Sequence, residues 1–132
     1  VKVDGTVAFG VMGPRCLWEL LWHGLHDDIR TATRRWRGPS QFQDAASADP
    51  IEIHYPSVRQ LSSAFAPYFE RVYVQPLGFW LPPSDVYGVI EKRPGLLRTL
   101  TAMDRHATRY PFLANYADHY WIEFRRTDVR PT

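Results

Sequence analysis

Apolar positions change their period along this chain, and each change marks an element. Residues 3–11 (VDGTVAFGV) follow an Asp4-Gly5 turn signal and are apolar and partly β-branched. Val7, Ala8, Phe9 and Val11 leave little polar surface, the pattern of a strand covered on both faces. Gly13-Pro14 breaks it, and Pro14 suits the first position of a helix. Over residues 15–36 the spacing shifts to three and four, through Leu17, Leu20, Leu21, Leu25, Ile29, Ala32 and Trp36. That spacing predicts one long helix. Trp18 and Trp22 widen its apolar stripe, while Arg15, His23, Asp27, Arg30 and Arg34 take the other side. Arg34, Arg35 and Arg37 stand where cations favour a helix C-terminus, and Gly38-Pro39 ends the run.

Residues 40–50 are polar and uneven and read as a loop. Residues 51–55 (IEIHY) alternate, as in a short strand with one wet face. Ser57 and Gln60 have capping-box spacing, opening a helix through Leu61, Ala64 and Phe65 to Pro67. Residues 70–79 form a strand whose Pro76 and Gly78 demand an edge or a bend. Ser84 is expected to cap a short helix over 85–92, and Pro94 to open another over 94–109, with Leu96, Leu97, Leu100 and Met103 as its apolar stripe. Residues 110–117 read as a turn or short helix. Residues 119–126 (HYWIEFRR) are the last strand, with Tyr120, Ile122 and Phe124 on one face and His119, Trp121 and Glu123 on the other. Residues after 127 read as a frayed tail. The order predicts a single α/β or α+β domain over residues 1–132.

Composition narrows the function classes. Sixteen basic against 14 acidic residues, net +2, is too even to argue for nucleic acid. No apolar run is long enough for a membrane span. The lone Cys16 excludes an intramolecular disulfide and fits a reducing compartment. No basic stretch followed by an apolar run opens the chain, so the expectation is a cytoplasmic protein without a secretory signal. The first residue is Val1 rather than Met, as in a processed or shortened chain.

An ordered set of segments resembles the second half of a class I S-adenosylmethionine-dependent methyltransferase. Residues 3–9 resemble the entry to the fifth strand of that fold, with Asp4 where Pro is usual. Gly10-Val11-Met12-Gly13, then Cys16-Leu17-Trp18-Glu19, is similar to a bacterial strand-to-helix junction where a helical insertion roofs the substrate pocket. Tyr55-Pro56-Ser57 leading to Leu61 and Phe65 resembles the helix before strand six. Phe69-Glu70-Arg71-Val72 resembles the entry to that strand, with Tyr68 replacing a Gly. Residues 119–124 are similar to the closing seventh strand, which slots antiparallel between strands five and six. The resemblance covers nearly the whole chain. It implies a partial Rossmann-like sheet, a helical cap over residues 14–36 and methyl transfer to a small-molecule acceptor. It also implies S-adenosylmethionine as the parent's cofactor. The cofactor motif itself is missing: the eight glycines, at 5, 10, 13, 24, 38, 78, 88 and 95, have no G-x-G spacing. No cofactor-binding residue is carried over. The half-sheet would leave the first strand's edge open, so a homodimer or a missing N-terminal half is expected.

The resemblance points to Met12, Arg15, Cys16 and Glu19 as substrate-side residues, because ligands of open α/β sheets sit beyond the strands' carboxyl ends. The competing reading packs Met12 and Cys16 and leaves Glu19 on a solvated helix face. Tyr55, beside His54 and before a helix, can reach such a pocket or simply pack. Phe79, with Trp80, Tyr87 and two prolines, lines an aromatic pocket or forms a satellite core. His119 is a candidate base or a solvent-facing strand residue. His23, His26 and Asp27 share a helix face but lack a fourth metal ligand, and a helical side-chain pair explains them better. No metal site is expected. The rival from another class is a non-enzymatic α+β ligand-binding or dimerisation module.

Overall fold

The structure, a computed structural model, describes residues 1–43 and 49–129. Its centre is β5 (His119–Arg126), whose alternation sends Tyr120, Ile122 and Phe124 into complete burial. β5 lies between β1 (Thr6–Met12) and β4 (Phe69–Leu77) and is antiparallel to both, so β1 and β4 run parallel to each other. Met12 and Leu77 both pair with His119. The C-terminal ends of β1 and β4 therefore share one end of the sheet. The Pro76–Tyr120 pairing is tolerated because β4 is an edge strand. A bulge between Arg71 and Tyr73 interrupts the ladder.

One face of this sheet is covered by α3 (Val58–Phe65). Its capping box forms as expected, the Ser57 hydroxyl accepting from Gln60 N–H and the Gln60 side chain from Ser57 N–H. The Phe65 ring stacks on Phe124 at 4.6 Å between centroids, and Phe9 and Phe69 close in at its edges. Val7, Phe9 and Val11 complete this cluster from β1. The remaining elements are α1 (Leu17–Leu25), α2 (Ile29–Ala32), a two-stranded sheet of β2 (Ser40–Phe42) and β3 (Ile51–Ile53), α4 (Ser84–Ile90), α5 (Pro94–Ala107), and 3-10 turns at Arg34–Arg37 and Pro111–Tyr116. The class is mixed α/β, with a small antiparallel sheet and several helices. No helix among the described residues is long and apolar enough to cross a membrane.

Four expectations need correction. The strand expected to be covered on both faces alternates instead: Thr6, Ala8 and Gly10 are exposed, opposite Val7, Phe9 and Val11. The single long helix over 15–36 is three pieces. Asp27 adopts a left-handed φ of 59°, and the His23 carbonyl accepts from both His26 N–H and Asp28 N–H. Asp28 then starts α2 by accepting from Thr31 N–H at 3.0 Å, which holds its carboxyl below the usual carboxylate range. Only part of the apolar stripe read on that helix turns inward: Ala32 is buried and Leu17 and Leu20 are half-buried, but Leu21, Ile29 and Trp36 are exposed and Leu25 is 82% exposed. The stretch read as a loop over 40–50 contributes Ser40–Phe42, paired with Ile51–Ile53, while its residues 44–48 lie outside the described residues. Finally, Ser84 is the first helical residue of α4, after Pro83, and its side chain caps nothing. The expected tail is described to Val129; residues 130–132 lie outside.

The helix break carries a clear test. A non-glycine residue in the left-handed region costs roughly 1 kcal/mol that glycine avoids. Asp27→Gly should raise the urea midpoint. In a continuous helix the same change would lower it, since glycine is among the poorest helix residues.

Candidate functional site

The site begins at the C-terminal end of β1. Gly13 N–H donates to the Asp118 carbonyl at 2.9 Å, tying the end of β1 to the start of β5. A Cβ built on Gly13 would run into the Ala117 carbonyl oxygen, so only glycine permits this approach. Its amide is already bonded, and no two of the eight glycines have G-x-G spacing, so the chain's residues supply no glycine-rich cradle for S-adenosylmethionine.

Over this junction sits Arg35, buried, from the 3-10 turn after α2. All five of its N–H groups are used. Nε and Nη2 each donate to one Glu19 oxygen at 3.0 Å. Nη2 also donates to Asp118 Oδ1 at 2.6 Å. Nη1 donates to the Gly13 carbonyl at 3.0 Å and the Asp118 carbonyl at 2.9 Å. This two-pronged geometry is the strongest a guanidinium makes with a carboxylate. Burial alone works against the Arg35 charge. Hydrogen bonding and attraction to Glu19, with help from Asp118, outweigh it and leave the pKa above the ordinary arginine value. Glu19, only 1% exposed, takes a further hydrogen bond from Arg34. The second Asp118 oxygen faces His119 Nδ1 at 2.9 Å.

Beside this network opens a cleft of about 880 Å³. Arg15, Cys16, Leu17 and Leu20 line it from the start of α1, Trp36 and Arg35 from the 3-10 turn, Tyr55 from the segment before α3, and Asn115 and Tyr116 from the far wall. The Arg35 guanidinium lies over the Tyr55 ring, 5.4 Å from its centroid. Cys16 is buried, and that burial pushes its thiol up to about 11.

Of the residues singled out in the sequence, Arg15, Cys16 and Tyr55 come together at this cleft. Glu19 stands behind it in the ion network rather than on a solvated face. Met12 is partly buried at the end of β1 and does not line it. Phe79 lies elsewhere, edge-on to Trp80 at 5.1 Å; Trp80 is in turn held by the Trp18 indole and the Asp104 carboxylate. His54 is exposed beside Glu52. His23 sits between Asp28 and Asp85, and no metal-binding cluster occurs among the described residues. The sequence presents Arg35 only as a helix-end cation. The overlooked signal is Asp27-Asp28 with Thr31, a stop and restart inside an apparently continuous helix.

No protein-family model matches the chain, and no curated protein matches it.

Removing one partner of a buried ion pair leaves an uncompensated charge. Arg35→Met should therefore cost about 3–5 kcal/mol of unfolding free energy. The double change Glu19→Leu with Arg35→Met should recover a large part of it. Additive losses in denaturant melts would count against the network. For the thiol, the raised pKa keeps Cys16 protonated at neutral pH. Alkylation by iodoacetamide should be slow at pH 8, still climbing near pH 10, and fast at pH 8 once urea unfolds the chain.

Proposed function

We propose that this chain is the acceptor-facing, C-terminal part of a class I S-adenosylmethionine-dependent methyltransferase. The observation that carries the reading is β5, antiparallel between β1 and β4, the arrangement that the resemblance implies for the last three strands. Two features support it. The cleft opens directly beyond the C-terminal end of β1, where open α/β sheets hold ligands. Arg15, Cys16, Leu17, Leu20 and Trp36, from the stretch the resemblance implies as a cap, line that cleft, and Arg35 ties the stretch to the sheet.

On this reading the chain contributes acceptor binding, orientation and exclusion of water, the main tasks of a protein in an in-line displacement. The cofactor belongs to residues outside this chain. The outer edge of β1, unpaired among the described residues, is where the next strand of the sheet belongs.

The test compares this chain with the natural reading frame extended upstream of Val1. S-adenosylmethionine titrated calorimetrically should give no heat with these 132 residues and saturable binding with an extended chain carrying a strand and a G-x-G-x-G turn. Tight binding by the short chain would overturn the division of labour. An extended frame without such a turn would sink the reading in favour of a non-enzymatic α+β module.

A further inference from the structure

The lining of the cleft is chemically one-sided. Among the described residues its charged side chains are Arg15 and Arg35, and no carboxylate lines it. Arg35 has spent every donor on Glu19, Asp118 and Gly13. Arg15 is exposed and forms no ion pair or hydrogen bond among the described residues. The cleft thus presents one uncommitted guanidinium. Around it lie apolar and aromatic surfaces, with Leu17 and Leu20 on one wall and the half-open rings of Trp36 and Tyr116 on others. Asn115 uses its carbonyl oxygen to accept from Val58 N–H. Its amide N–H₂ makes no hydrogen bond among the described residues, so what it can offer a ligand is again a donor.

We infer that the cleft takes an aromatic carboxylic acid, its carboxylate on Arg15 and its ring system against Trp36 and Tyr116. A guanidinium matches a carboxylate edge with two parallel N–H···O bonds, and a flat apolar body suits the aromatic walls. A single free guanidinium suits a monoanion better than a phosphate dianion. A cationic ligand would meet Arg15 with no carboxylate among the described lining residues to offset it. The inference rests on the acceptor-site reading above and narrows it to an acceptor class.

The experiment is a calorimetric titration of 1-naphthoate into the full chain, with Trp fluorescence as a second readout, alongside 1-naphthamide and 1-naphthylmethylamine. Naphthoate should bind one per chain, at least tenfold more tightly than the neutral amide, with the amine weakest. Arg15→Gln should weaken naphthoate at least tenfold and leave the amide unchanged, while Arg15→Lys should retain part of the affinity. Arg98→Gln, outside the cleft, should change nothing. Equal affinity for acid and amide, or no effect of Arg15→Gln in a variant with an unchanged melting curve, would overturn the inference. These readouts involve no cofactor. Their failure removes the acid as acceptor class and leaves the methyltransferase reading to the upstream-frame test; failure there removes the acceptor role, while the binding of naphthoate by Arg15 is read independently.

Discussion

Arg35 is the constraint on which the arrangement of this chain depends. Its guanidinium fastens three stretches far apart in sequence: the end of β1 at Gly13, the start of β5 at Asp118, and α1 at Glu19. A buried pair of this kind is weak evidence for net stability, because desolvation offsets much of the attraction. What it supplies is position. With every donor matched, no neighbouring placement of α1 over the sheet satisfies the same groups, and a partly satisfied alternative is costly. Gly13 complements it by allowing the two backbones to meet.

The sheet was legible because β-strand burial writes itself directly into alternation. Tyr120, Ile122 and Phe124 could be assigned to one face from residues 119–126 alone. The capping box at Ser57 was legible for a related reason, since both of its bonds are local. The cap was not. Its apolar residues keep helical spacing, yet Leu21, Leu25, Ile29 and Trp36 are exposed, and the buried positions are Cys16, Glu19, Ala32 and Arg35. A charge goes into the interior only when its partner does, and that pairing is a tertiary fact invisible to periodicity. On one straight helix, Glu19 and Arg35 would stand about 24 Å apart. The two-aspartate break folds that distance away, so the misread helix and the missed arginine are one error.

The cleft was half legible for the same reason. Arg15, Cys16 and Tyr55 belong to segments adjoining the strand end and the α3 cap, which local signals located. Trp36, Asn115 and Tyr116 arrive through the break and through the turn before β5, and nothing in their own surroundings announces a cavity. Phe79 had equally aromatic surroundings and ended half-buried, edge-on to Trp80 and away from the cleft. Aromatic density alone therefore does not separate a wall of a cleft from a piece of core.

The central place of β5 also sets a timetable. Both neighbours of the sheet pair with it, and the anchor of the cap at Asp118 lies one residue before it. At a synthesis rate of about 5–20 residues per second, β1 leaves the ribosome several seconds before the strand that completes it. In that interval Val7, Phe9 and Val11 wait for Ile122 and Phe124, and Glu19 and Arg35 have each other but not Asp118. The pairing of β1 with β4 through the sheet is closed by β5, so the side of β1 that faces β5 is the edge that must be kept from pairing elsewhere until then.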